Sequence, residues 1–140
     1  MDTRRTRRRQ PVDSGKRDLS VLFEYFEVHN RTEGKSPRTV EWYNQVLGLF
    51  YRWLKAKDQS TELGNIEEMT VRRFILDLQE KPGTKAAKMS SHTVYNRVNA
   101  LRSFFNWLYS EGFTDHHVLQ NLKQPRTTRL VIEPLNPTTL

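Results

Sequence analysis

The apolar positions of this chain repeat themselves at an offset of 54 residues. Ser36, Thr39-Val40, Leu47, Phe50 and Trp53-Leu54 recur in register as Ser90, Thr93-Val94, Leu101, Phe104 and Trp107-Leu108. Each copy opens with a Ser able to cap free backbone N–H groups and continues with apolar residues at helical spacing. The pattern predicts two matched amphipathic helices. The second helix of the chain then starts at Ser36, with Pro37 in its first turn where the missing N–H costs nothing, and runs to about Lys57. The fourth runs from Ser91 to Ser110 and is closed by Gly112.

Two further helices fit the same reading. The first is capped by Asp18, puts Leu19, Leu22, Phe23 and Phe26 on one stripe, and ends before Gly34. The third is capped by Thr70, turns Val71, Phe74, Ile75 and Leu78 inward, and is stopped by Pro82-Gly83. A polar stretch, 58–65, separates the second from the third, and a basic loop, 84–89, leads into the fourth. Asp115 to Leu122 is compatible with one short helix. Lys123 to Leu140, with three prolines, reads as a linker. No segment alternates convincingly as a strand, so the expected class is all-α.

Composition narrows the possibilities. A chain of 140 residues without a Gly-Pro-rich spacer in its middle suits one domain with a moderate core. Its mean hydropathy of −0.77 and the lack of any long apolar run exclude a membrane span, and the Arg-rich start lacks the apolar stretch of a secretory signal. A soluble, cytoplasmic protein is expected. With no Cys, disulfides, thiolate metal sites and Cys nucleophiles are all removed, which fits a reducing compartment.

Charge is unevenly placed. Residues 1–17 hold Arg4, Arg5, Arg7, Arg8, Arg9, Lys16 and Arg17 against Asp2 and Asp13, so they carry five of the seven net positive charges. A run such as Arg4 to Arg9 repels itself and cannot pack. It is expected to be a disordered arm that attracts polyanions, nucleic acid first, with a solvated tail or an import signal as the plainer readings.

The solvent faces of the paired helices carry the candidate chemistry. With Val40, Tyr43, Leu47, Phe50 and Leu54 inward, the opposite stripe of the second helix is Arg38, Glu41, Gln45, Gly48 and Arg52. A Gly inside a helix costs roughly 1 kcal/mol relative to Ala, so its presence there implies close approach by another helix or by a ligand such as DNA. With Val94, Val98, Leu101, Phe105 and Leu108 inward, the outer stripe of the fourth helix is His92, Asn96, Asn99, Ser103 and Asn106, flanked by Arg97 and Arg102. Ordinary exposed helix faces carry Glu and Lys. Asn, His and Ser are poorer helix formers, and they are donors and acceptors suited to base edges and phosphates in a major groove. A merely solvated face is the alternative.

The order of these residues resembles a known family. Ser36-Pro37-Arg38-Thr39-Val40, Tyr43, Leu47, Phe50 and Trp53-Leu54, then a short helix at Thr70, then Thr93 through Leu108 and Glu111-Gly112-Phe113, is similar to the N-terminal core-binding domain of tyrosine recombinases, the phage integrase and Xer-type family. The likeness spans about residues 18–125, with 1–17 as an added arm and 126–140 as a linker towards a catalytic domain. It implies a SAM-like bundle of four to five helices forming one jaw of a clamp on double-stranded DNA, with the second and fourth helices towards the major groove. Arg38, Thr39, Gln45 and Arg52 are then candidates on the second helix, and His92, Asn96, Arg97, Asn99, Arg102 and Ser103 on the fourth. Self-association on DNA, through the first and last helices, is also implied. No cofactor, metal or small-molecule substrate is expected.

Departures from the family pattern bear on activity. The family's catalysis uses a Tyr that attacks a phosphate, supported by Arg, Lys and His in a C-terminal domain. None of His29, His92, His116 or His117 begins the expected His-x-x-Arg pair, and all five Tyr fall within predicted helices. Cleavage of DNA by this chain is therefore not expected. His116-His117 lacks a third ligand for a metal. Rival readings are a helical protein-interaction module and a small DNA-binding regulator, the latter disfavoured because no short turn joins two adjacent helices.

Overall fold

Asp18 opens the first helix in a computed structural model that describes residues 17–80 and 91–124. Its carboxylate accepts the Ser20 N–H at 3.1 Å and so caps α1, Leu19–Thr32. Helix α2 spans Pro37–Ala56, with the Ser36 Oγ accepting the Thr39 N–H at 3.1 Å. A single turn of 3₁₀ helix, Leu63–Asn65, precedes α3, Glu68–Glu80, and α4 spans Ser91–Ser110. No named strand occurs among the described residues. One isolated bridge pairs Asp18 with Glu62, through Leu19 N–H to the Thr61 carbonyl and Leu63 N–H to the Arg17 carbonyl, each 2.9 Å.

The internal repeat is a repeat of structure. Pro37 and Ser91, the first residues of α2 and α4, stand 54 apart, as do the last residues, Ala56 and Ser110. Val40, Leu47, Phe50 and Leu54 are buried, and so are their counterparts Val94, Leu101, Phe104 and Leu108. The environments of the two tryptophans then diverge. Trp53 donates its indole N–H to Asp77 of α3 at 2.8 Å, while Trp107 packs on Phe26 and His29 of α1. That N–H holds the Asp77 carboxyl below the ordinary carboxylate range against an opposing cost of burial, with Lys57 at 3.5 Å adding a lesser lowering.

Helix α4 is the hub of the packing. It lies against α2 and α3, and its Phe104 ring meets Phe23 and Phe26 of α1 at centroid distances of 5.1 and 5.3 Å. Phe74 of α3 sits edge-on to Phe50 and Trp53 of α2 at 5.0 and 5.3 Å. With Phe104 fully buried at the junction, its truncation to Ala is worth about 3–5 kcal/mol, a large part of a small domain's stability.

The helix ends share one device. At each of three C-termini the chain turns through a left-handed residue: Gly34 after α1, Asp58 after α2 and Gly112 after α4, with φ of 82°, 59° and 85°. At the end of α2 the Asp58 N–H returns to the Lys55 carbonyl at 3.1 Å and the Gln59 N–H to the Leu54 carbonyl at 2.8 Å, satisfying two of the helix's orphan acceptors. Asp58 holds this conformation without being a glycine.

Two expectations are corrected. Thr70 does not cap α3, which starts at Glu68. Instead the Thr70 Oγ1 accepts the Glu67 N–H at 3.3 Å from inside the first turn, the return half of a capping box. Residues 115–122 form turns rather than a short helix, with Val118, Leu119 and Leu122 buried. The Arg-rich arm 1–16, the loop 81–90 with Pro82-Gly83 and Ser90, and the linker 125–140 lie outside the described residues.

Candidate nucleic-acid interface

On α2 the expected stripe is open. Arg38, Glu41, Gln45 and Arg52 are exposed, and neither Arg38 nor Arg52 forms an ion pair among the described residues. Gly48 lies between them with no helix against it. A Cβ placed there meets only the Arg52 Nη1, at 3.4 Å, so of the two explanations for a mid-helix glycine the neighbouring helix is absent among the described residues. Two unpaired guanidinium groups, an amide and a bare stretch of backbone thus share one ridge. Thr39 is half-buried in the first turn, where its Oγ1 accepts from the capping Ser36 hydroxyl at 3.0 Å.

The α4 stripe divides in two. His92 is exposed and Asn96 half-buried in the first two turns. Further along, the polar side chains are engaged within the protein. Asn99 accepts from the Gln124 side-chain amide, and Arg102 donates to the Leu122 carbonyl at 2.6 Å. Ser103 accepts from the Tyr43 hydroxyl of α2 at 3.4 Å, and Asn106 pairs with His117. The His117 Nδ1 accepts the Leu119 N–H at 3.2 Å, so the ring proton is on Nε2, donated to the Asn106 carbonyl oxygen.

One relation differs from the helical-wheel reading. Arg97 does not flank the outer stripe. At 100° per residue it lies about 160° around α4 from Asn99, on the side of Leu101 and Phe104, and it is half-buried. The two stripes do not meet at the α2–α4 contact: Tyr43, which reaches Ser103, lies about 160–180° around α2 from Gln45 and Arg52. The structure therefore brings Asn99, Arg102 and Asn106 together with residues 117–124, and leaves the α2 ridge as a separate surface.

Residues that the stripe pattern did not single out complete the picture. Asp18 gathers hydroxyl donors from three parts of the chain: Ser20 of α1, Tyr51 of α2 at 2.7 Å and Thr61 of the connecting segment. Partial burial pushes its carboxyl up, but the hydrogen bonds from Ser20, Thr61 and Tyr51 outweigh that and bring it down to about 2. On the outer face of α1, Val21, Tyr25 and Val28 are exposed at one helical stripe. Val28, 59% exposed, is the most open large apolar side chain described. Among the described residues no group of His, Asp and Glu is arranged to hold a metal, and no helix is long and apolar enough to cross a membrane.

Among the described residues the protein is an all-helical bundle packed around α4, the fold class of a recombinase-related SAM-like domain. The chain belongs to the phage integrase N-terminal SAM-like domain family, which it matches over residues 22–112. It is 26% identical over 113 residues to "Tyrosine recombinase XerC" of Oceanobacillus iheyensis, covering 81% of this chain and 34% of that protein. The tyrosine recombinase XerC of Anoxybacillus flavithermus is 22% identical over 119 residues, covering 85% and 36%. That of Thermodesulfovibrio yellowstonii is 32% identical over 81 residues, covering 58% and 23%. The chain thus spans about a third of the length of the first two relatives. No solved structure gives a significant match.

Proposed function

We propose that this chain is the DNA-binding N-terminal domain of a site-specific tyrosine recombinase, and that it contacts duplex DNA through the α2 ridge and the first two turns of α4. The observation that carries the reading is the α2 ridge: Arg38 and Arg52 without ion pairs among the described residues, on either side of Gly48, where a Cβ would meet only the Arg52 guanidinium. Guanidinium groups bind phosphates or the edges of guanine, and Gln45 pairs with adenine; a glycine between them lets the DNA backbone come close. His92 and Asn96 add further donors and acceptors from the start of α4. The basic arm supplies the sequence-independent part of the affinity. Catalysis is assigned elsewhere, since the Arg, His and Tyr groups of the family's reaction have no counterparts here, and no covalent adduct with DNA is expected.

The test is a salt titration of binding to a short duplex. Removing residues 1–17 weakens binding and flattens the plot of log K against log salt by about 0.9 for each phosphate that the arm had neutralised, yet leaves residual affinity. Arg38→Ala or Arg52→Ala in the trimmed chain each lowers the slope again by about the same amount per phosphate. If the trimmed domain shows no DNA-induced NMR shifts along 38–52 or 92–96 at low salt, the helical faces are not a DNA surface. The exposed α1 stripe of Val21, Tyr25 and Val28 favours a second element of the reading, contact between copies of the domain on DNA.

A further inference from the structure

The middle of α4 raises a question that the DNA reading leaves open. Asn and Arg side chains at this density on a helix would ordinarily be taken for a recognition surface, yet Asn99, Arg102 and Asn106 each reach residues 117–124. The contacts fall in order along the helix. Asn106 pairs with His117, Arg102 binds the Leu122 carbonyl at 2.6 Å, and Asn99 receives the Gln124 amide. Between these polar ties Val118, Leu119 and Leu122 are buried in the core, so the segment is held on both its apolar and its polar side. It runs back along α4 from the turn at Gly112 towards that helix's N-terminal half. The Gln124 Oε1 is itself buried, with no hydrogen-bond partner among the described residues.

We propose that 117–124 is a strap clipped along α4, and that Arg102 is the positioning residue that fixes where the chain beyond residue 124 leaves the domain. A main-chain carbonyl can be held by a guanidinium without regard to the side chain that carries it, and the bond is charge-assisted and short. Three ties, spaced about one helical turn apart, set the direction of the strap along the α4 axis as a single tie could not. The same occupancy removes Asn99, Arg102 and Asn106 from any groove-reading role, which narrows the DNA surface of α4 to His92 and Asn96. The strap stands on hydrogen bonds within this chain. Only the exclusion from DNA rests on the binding function proposed above.

The experiment compares Arg102→Ala, Arg102→Lys and Asn99→Ala in the full chain by amide hydrogen exchange and by binding to a duplex of mixed sequence across a range of salt. Arg102→Ala is expected to speed exchange at Leu119, Gln120 and Leu122 at least tenfold, with α1 to α3 unchanged. Arg102→Lys, which keeps a cation that can reach the carbonyl, restores part of the protection. Asn99→Ala, a milder change, loosens the end of the strap alone and guards against misreading a globally unfolded variant. The slope of log K against log salt stays within error of wild type for all three. Unchanged exchange at 119–122 in Arg102→Ala overturns the strap. A slope lowered by about 0.9 in that variant overturns the exclusion, because it assigns the guanidinium to a phosphate. If the wild-type chain binds no DNA at all, the proposed function fails, while the exchange measurements still decide the strap.

Discussion

Replacing Asp18 tests how the N-terminal half is held together. The carboxylate caps α1 and accepts hydroxyls from Ser20, Tyr51 and Thr61, which joins α1, α2 and the 61–63 segment at one point. Asp18→Ala removes a helix cap, worth about 1 kcal/mol, and strands the half-buried Tyr51 and Thr61 hydroxyls, so a total loss of about 2–4 kcal/mol is expected. Asp18→Asn keeps the cap but not the charge, and isolates the electrostatic part. The folded carboxyl titrates at about 2 against an ordinary value of 3.8. That difference corresponds to at most about 2.4 kcal/mol, and to about 1–2 kcal/mol once solvent screening is allowed for. Because the folded value is depressed, this stabilisation is fully present above pH 4–5 and is lost as pH falls through 3.8 towards 2. Urea unfolding followed by circular dichroism should show wild type exceeding Asp18→Asn by about 1–2 kcal/mol at pH 6, with the gap closing by pH 2. Taking the difference between the two proteins cancels the other carboxylates. A gap that stays flat over that range would refute the reasoning.

Other outcomes follow from single positions. Gly48→Ala should stabilise the free protein by about 0.5–1 kcal/mol in thermal melts, since a Cβ meets only a movable guanidinium, while weakening DNA binding; equal affinity would show that nothing approaches this backbone. Asp58→Gly should raise stability by about 0.5–1 kcal/mol in urea, because the left-handed conformation costs a residue with a Cβ more than it costs glycine. Asp77→Ala should shift Trp53 fluorescence to the red as the indole N–H turns to water, an effect absent if Trp107 dominates the emission. Val28→Asp should abolish any concentration-dependent association seen in sedimentation on a DNA fragment holding two copies, leaving the single-copy affinity intact.

Much of the fold was legible because helices announce themselves through periodicity and punctuation. The start of α2 at Ser36-Pro37, the buried positions of α4 and its end at Gly112 all follow from local signals that the packing agrees with. Thr70 misled because a Thr can serve the first turn from within as well as from its edge, and Glu67 to Met69 give no local sign of which applies. The α4 stripe was visible as an oddity of composition, but its partner was not. Arg102 binds a main-chain carbonyl, and carbonyls are the same at every residue, so no pattern in the sequence marks Leu122 as its target. Asp18 was recognisable as a cap. Its links to Tyr51 and Thr61 depend on the return of the chain after α2, which periodicity does not specify.

The central place of α4 has a consequence for how the chain folds as it is made. Helices α1 to α3 are complete by residue 80, yet the side chains that close their core, Leu101, Phe104, Phe105 and Leu108, come later in the chain. Contacts such as Phe23 with Phe104 join residues far apart in sequence, so the part of α1 that faces α4 stays uncovered until α4 is made, although its α2-facing part is covered earlier. At about 5–20 residues per second, synthesis from residue 80 to 108 leaves those faces waiting for roughly 1–6 s. A nascent chain halted before Leu101 should therefore be sensitive to protease throughout, and one extended past Leu108 should become resistant in a single step. Cooperative folding would then be delayed until the second copy of the repeated helix has left the ribosome.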